Sequence, residues 1–362
     1  MNNTNKFYWP ALDGLRALSV ILVIVSHIHF PNYFGEKINL GGFGVHTFFA
    51  ISGFLITTLL LNEKHENGYI SIKKFYLRRF FRIIPVLLLF LLVLYILNIV
   101  YDLNISKINF LSTLFFFGNI PNSITHFNIE GTWYLGHFWS LTIEEQFYLI
   151  YPIIISRINL NWLKSIIVSL CLLVPIIHYC YFNEIGWFFS SRILHNITGL
   201  FLIPFSLGTI ALLIGSYFAI LNFQKSSFIS LINSSKNAYF SNPILIYFIS
   251  FLLLVPLALE YSFGLSVLLS SIFSNILLIK ITNQKNNSFF KRVLSSQFMV
   301  AIGVLSYSIY VWQQLFTSYQ PWRNSFLFGD SIMLNMILLA IVSYCSYNYF
   351  EKWFLDFKKR FS

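Results

Sequence analysis

Acidic side chains are scarce in this sequence. Asp and Glu number 13 in 362 residues, and charged residues of both signs make up only 10%, against about 25% in an ordinary soluble domain. So little charge cannot clothe a water-facing surface, and with 57% hydrophobic residues it also excludes a disordered chain. Cysteine is scarce too. Cys171, Cys180 and Cys345 all lie in apolar runs. They have neither the even count of a disulfide framework nor the spacing of a metal site, and read as small buried hydrophobes. No Gly-rich phosphate loop, dinucleotide fingerprint or Cys-x-x-Cys pair occurs. Aromatic residues, by contrast, reach 19%, with 41 Phe and 21 Tyr, and the mean hydropathy is +0.69. The net charge of +11 lies on too apolar a background to indicate nucleic acid as a partner. An integral membrane protein with many spans remains.

Ten apolar runs are long enough to cross a bilayer. They lie near 12–30, 42–61, 84–101, 141–156, 163–182, 198–221, 239–258, 261–280, 297–317 and 331–350. The first has no small-residue cleavage site after it and reads as a retained span, not a signal peptide. Segment 107–120 is apolar but short, as a re-entrant or interfacial piece would be. Orientation follows from Lys and Arg. With the N-terminus in the cytoplasm, 19 of the 24 Lys and Arg fall inside. Lys37, Lys107, Arg192 and Arg323 fall outside, and Arg16 lies within the first span. The expectation is an all-α integral membrane protein, a bundle of about ten transmembrane helices with both termini cytoplasmic, forming one domain over 1–362.

The few polar residues within the apolar runs carry the information, because each is costly in lipid. The first span holds Asp13, Arg16, His27 and His29. Arg16 and His27 are eleven residues apart, about three helical turns, so they share a face and lie ~16 Å apart along it. That face marks a polar track; its packing alternative is an Arg that snorkels and a His bonded to a neighbouring helix. Arg79 and Arg82 are one turn apart and can converge on a phosphate-rich ligand, because the guanidinium fork matches phosphate oxygens. Plain anchoring at an anionic lipid surface is the alternative. A third cluster runs His137-Phe138-Trp139-Ser140-Leu141-Thr142-Ile143-Glu144-Glu145-Gln146-Phe147-Tyr148. Its adjacent carboxylates project ~100° apart and cannot face one partner. They can act as helix N-terminal acids, as proton carriers, or as partners of Arg or His. Ser52 and Gly53 interrupt the second span and permit close approach of a helix or ligand.

These clusters, in this order, resemble the acyltransferase-3 family of membrane acyltransferases. The resemblance is carried by Leu12-Asp13-Gly14-Leu15-Arg16, by the Arg16-to-His27 spacing, and by Gly42-Phe43-Gly44-Val45 with Phe48 to Leu55. Arg79-Phe80-Phe81-Arg82-Ile83-Ile84-Pro85, the His137–Tyr148 cluster, Leu305-Ser306-Tyr307-Ser308-Ile309-Tyr310-Val311-Trp312 and Tyr349-Phe350-Glu351-Lys352 extend it over essentially the whole chain. Two departures stand out. His46 occupies a position where many relatives have Asp, which removes one carboxylate partner for His27. Gln313 follows Trp312 where relatives often have His, which weakens any role for an imidazole there. The chain ends at Ser362, leaving no room after the tenth span for the SGNH hydrolase-like domain that some relatives append. The expectation is direct transfer by this core, or completion by a separate extracytoplasmic protein.

The resemblance implies an acyltransferase, for groups other than aminoacyl, in the cytoplasmic (inner) membrane. It implies acyl-CoA, usually acetyl-CoA, as donor substrate and a hydroxyl of an extracytoplasmic glycan or glycolipid as acceptor, such as lipopolysaccharide, exopolysaccharide or peptidoglycan. No bound cofactor and no metal are expected. In this scheme Arg79 and Arg82, with Arg16, hold the CoA phosphates or stabilise thioester charge. His27 acts as general base or transient acyl carrier, and Glu144 or Glu145 orients it or carries the released proton. Asp13, Ser52, Gly53, Trp139, Ser140 and Tyr148 shape and support the cavity. The competing reading is a transporter or flippase of a lipid-linked glycan without chemistry, against which no clear internal repeat is found. A sensor or scaffold with structural polar residues is a third.

Overall fold

The computed structural model describes residues 8–28, 40–117, 119, 129–183, 185, 198–199, 207–233, 242–254, 263–283 and 288–358. His29 and the first part of the sixth expected span lie outside the described residues. The described elements are helical, as apolar runs in lipid require when every backbone group must find its partner within the segment. They are α1 (Pro10–His27), α2 (Leu40–Asn67), α3 (Ile72–Tyr101), α4 (Lys107–Leu114), α5 (Ile129–Gly136), α6 (Phe138–Arg157), α7 (Leu160–Phe182), α8 (Leu207–Phe223) and α9 (Ser227–Asn233). Then come α10 (Pro243–Leu254), α11 (Phe263–Thr282), α12 (Phe289–Leu294), α13 (Gln297–Trp312) and α14 (Ile332–Cys345). A π-helical turn, Ser346–Glu351, joins α14 to α15 (Lys352–Lys358).

Seven stretches are long and apolar enough to cross a membrane: α1, α2, α3, α7, α11, α13 with its continuation to Leu315, and α14 through Phe357. The other three expected spans fall on α8 and α10, which are apolar but shorter, and on α6. That helix has 20 residues but carries Ser140, Thr142, Glu144, Glu145 and Gln146. Helix α3, at 30 residues, is about 45 Å long, more than the ~30 Å hydrocarbon core. Its basic first third therefore belongs outside that core, and Pro85 sits where the basic part gives way to the apolar part. Arg78 there pairs with Glu63 at 3.2 Å.

One expectation needs correction. Helix α6 begins at Phe138 and has no acidic residue in its first turn. Glu144 and Glu145 lie nearly two turns inside, so the positive end of the helix does not account for them.

Small residues set the packing. A Cβ added to Gly53 would lie 2.0 Å from the Leu212 carbonyl oxygen, and one added to Gly303 would lie 1.9 Å from the Asp13 carbonyl oxygen. Backbone therefore rests on backbone where α2 meets α8 and where α1 meets α13. Relative directions are also fixed. Asp13 lies against Gly303 and His27 beside Gln314, so α1 and α13 run parallel. Thr57 Oγ1 donates to Tyr151 Oη at 3.0 Å and Lys64 Nζ to the Ser156 carbonyl at 3.1 Å, so α2 and α6 run parallel. Helices α1 and α2 are antiparallel, with Gly44 against Ser19 and Gly41 against Ser26.

Candidate active site

Helices α1, α2, α3, α6 and α13 enclose a cavity of about 90 Å³. Its polar lining is Arg16, Ser52, Arg79, Arg82, Ser140, Glu144, Ser306, Tyr307 and Tyr310, and its apolar wall includes Phe48, Phe49 and Leu141. Six residues singled out in the sequence thus meet here from four helices. Arg16 Nη1 pairs with Asp13 Oδ1 at 3.0 Å, one turn back on α1. The Arg79 guanidinium lies 4.2 Å over the Tyr148 ring, a cation–π contact that leaves its N–H edges free to point elsewhere. Arg82 is within electrostatic reach of both Arg16 and Arg79, and of the Glu351 carboxylate. Three guanidinium groups so close together repel one another in a low-dielectric setting. A multiply charged anion placed among them relieves that repulsion.

The adjacent carboxylates have separate surroundings, as their ~100° divergence requires. Glu144 lines the cavity, and its Oε1 accepts from Ser52 Oγ and from Tyr148 Oη. Glu145 does not line it. Its Oε1 is buried with no hydrogen-bond partner among the described residues, within electrostatic reach of Arg79 and Arg82. Gly53 lies off the cavity, against Leu212. Trp139 is 39% exposed and meets Phe49 edge-on with centroids 6.2 Å apart. His46 is buried against Phe49, its Nδ1 without a partner.

His27 sits beyond the cavity, toward the C-terminal end of α1. It meets the Trp133 ring edge-on at 5.6 Å, and its Nδ1 is buried. Its Nε2 lies 3.5 Å from Gln314 Nε2. Gln314 in turn reaches His137. Its Oε1 is 2.7 Å from His137 Nδ1 and accepts from the His137 backbone N–H at 3.4 Å. In this arrangement the amide oxygen faces His137 and the nitrogen faces His27. An amide N–H facing His27 Nε2 leaves that nitrogen as an acceptor. The chain continues to the cavity. The His137 carbonyl accepts from Ser140 Oγ at 3.2 Å and from Tyr310 Oη at 2.9 Å, and those two hydroxyls are 2.5 Å apart. Ser140 and Tyr310 are themselves cavity residues.

His137 and Gln314 were not among the sequence candidates. His137 was in plain view in the third cluster, and Gln313-Gln314 is a polar pair ending an apolar helix. Either could have been flagged by the cost of polar groups in lipid. Nothing in spacing, however, tells that residues 177 positions apart share a hydrogen bond. Gln313 is fully buried, and its side chain interacts with the His27 ring.

Comparison with known proteins bears on this arrangement. No solved structure matches the chain. A Staphylococcus aureus protein (strain MSSA476) provisionally named an O-acetyltransferase is 36% identical over 175 residues, covering 44% of this chain and 28% of that protein. The O-acetyltransferase OatA of S. aureus (strain NCTC 8325 / PS 47) is 36% identical over 155 residues, 41% of this chain and 25% of OatA. The matched stretch thus spans little more than a quarter of these curated relatives. The acyltransferase-3 family, described as an acyltransferase domain, matches residues 9–351, a stretch that contains every residue of the arginine-lined cavity and of the chain leading to His27. The protein belongs to the acyltransferase-3 family.

Proposed function

We propose that this protein is a multi-pass O-acyltransferase of the cytoplasmic membrane. It moves an acyl group, acetyl by family precedent, from cytosolic acyl-CoA to a hydroxyl of an extracytoplasmic glycan or glycolipid. The observation that carries the reading is the cavity where Arg16, Arg79 and Arg82 converge, joined by Ser140, Tyr310, His137 and Gln314 to His27. With 19 of 24 Lys and Arg placed inside by ten alternating spans, the arginines fall on the cytoplasmic half and His27 on the outer half. The parallel and antiparallel pairs in the bundle agree with that alternation.

The chemistry then divides by place. CoA phosphates are too strongly hydrated to cross lipid, so the guanidinium forks hold them at the inner side while the thin pantetheine arm carries the thioester inward. His27 Nε2 accepts the proton of the acceptor hydroxyl as its oxygen attacks the thioester carbonyl. The C–S bond breaks, and the leaving thiolate takes up the proton that His27 accepted. Gln314 serves this step by keeping Nε2 unprotonated beforehand. Glu144 is held by Ser52 and Tyr148 beside the arginines, so its role in this scheme is to position the donor; direct orientation of His27 falls to Gln314.

The test uses a deletion strain complemented with the wild-type chain or with His27→Ala. Base-labile O-acyl ester on purified envelope glycans should vanish on deletion and return only with wild type. Purified His27→Ala should still bind acetyl-CoA. Full ester with His27→Ala would remove the base, and no ester change in any strain would favour glycan transport without chemistry.

A further inference from the structure

We infer that a second cavity, outside the end of α1, seats the acceptor as a polyhydroxylated ligand bound by Thr317, Ser318, Gln320, Arg323 and Asp330 against the Tyr319 ring. The inference rests on the acyltransferase reading above and adds to it the place and chemistry of acceptor binding. This cavity, of about 260 Å³, is walled at its inner end by Ile28, the residue after His27. Ser318 Oγ donates to the His27 backbone carbonyl. It therefore lies on the other side of His27 from the arginine cavity, where a hydroxyl must arrive if the donor comes from within.

The lining suits sugar hydroxyls, each of which both donates and accepts. Thr317 is 3% exposed, and its Oγ1 has no hydrogen-bond partner among the described residues, a cost that a bound hydroxyl removes. Gln320 spends its Nε2 on the Phe316 and Thr317 carbonyls, which leaves Oε1 to accept. Arg323 and Asp330 add a donor fork and an acceptor, and neither forms an ion pair among the described residues. Tyr319 is 49% exposed and is braced by the Trp133 ring at 5.1 Å, so it offers an apolar face to a sugar ring.

The segment is also held in shape, as a binding platform needs. Tyr134 Oη donates to the Tyr319 carbonyl at 2.6 Å, and Trp133 Nε1 to the Gln314 carbonyl at 3.0 Å. Trp322 Nε1 donates to buried Asn335, which itself donates to the Gly329 and Ser331 carbonyls at 2.9 Å. At the tip, Leu327 and Phe328 are 80% and 66% exposed. Apolar side chains there would rest at the lipid boundary, where a carrier-bound glycan presents its sugars.

The experiment uses the purified full chain in lipid nanodiscs with radiolabelled acetyl-CoA. Its acceptor is the envelope glycan of the deletion strain, supplied on its lipid carrier and, separately, released from it. Arg323→Gln and Thr317→Val should each raise the glycan concentration for half-maximal rate about tenfold, a loss of ~1.4 kcal/mol in affinity. The rate at saturation and the acetyl-CoA KM should not move. A shift in both glycan forms assigns recognition to the sugar, and a shift confined to the carrier-bound form assigns it to the carrier's headgroup. Unchanged glycan dependence in both variants, or an equal rise in acetyl-CoA KM, overturns the inference. Should wild type transfer no acetyl group, the acyltransferase reading fails by itself. Glycan binding without acetyl-CoA then decides the pocket, since Arg323→Gln must weaken it.

Discussion

His27 meets the side chain of a residue 287 positions away. Gln314 shows it an amide N–H because the opposite end of that amide is fixed by the backbone of His137. Gln314→Leu keeps the bulk but removes both contacts. It should lower kcat by about 10²-fold, the low end of what a misplaced general base costs, with acyl-CoA KM unchanged; steady-state kinetics at two donor concentrations would show the split. Tyr148 allows a different dissection, because its hydroxyl serves Glu144 while its ring serves Arg79. Tyr148→Phe removes the first contact and Tyr148→Leu removes both. The Leu variant should raise acyl-CoA KM about fivefold above the Phe variant, since a desolvated cation–π contact contributes ~1 kcal/mol. Equal KM values would mean that the ring does not hold Arg79 for the donor.

Two of the helices most dependent on close contact carry no site chemistry at their seam. Gly53 of α2 meets the Leu212 carbonyl of α8 so closely that no Cβ fits. Backbone, not a flexible side chain, is what stands in the way. Gly53→Ala should therefore destabilise the bundle by about 1–3 kcal/mol through overpacking, read as a lower thermal inactivation midpoint in detergent. Any surviving activity should show a normal acyl-CoA KM, because Gly53 lies off the cavity. Ser52, the preceding residue, projects ~100° away and bonds Glu144. Neighbours on one helix thus divide into a packing face and a site face. Helix α6 makes the same division between Glu144 and Glu145.

Across the whole molecule, charge and direction must agree. The proposed ten-span topology puts Ser325, which is exposed in the segment after α13, outside. It puts Glu66, exposed at the end of α2, inside. In a chain with Cys171, Cys180 and Cys345 replaced by Ala, a membrane-impermeant maleimide added to intact cells should label Ser325→Cys and spare Glu66→Cys until the cells are opened. The converse pattern would invert the sidedness of the arginine cavity and remove the route for cytosolic CoA. The arginine cluster makes its own prediction at this scale. Arg79→Lys and Arg82→Lys keep the charge but lose the fork, so each should raise acyl-CoA KM about tenfold, measured with the purified chain.

The sequence by itself determined that the chain is helical with several apolar spans, because an apolar run in lipid has no alternative to satisfying its backbone internally. It also picked out polar residues that the fold gathers around one cavity, since so few charges are tolerated there. Arg16, Arg79, Arg82, Ser52, Ser140 and Glu144 were all legible in that way. Which of two adjacent carboxylates lines the cavity was not, nor that Asp13 is spent on Arg16, nor that Gly53 and Trp139 stand apart from the site. Those outcomes depend on how each helix is rotated against its neighbours, and the one-residue difference between Glu144 and Glu145 is a turn of ~100°. The His27–Gln314–His137 chain is the extreme case. Its members come from the end of α1, the turn between α5 and α6 and the turn after α13, far apart in sequence, and only tertiary packing brings them together.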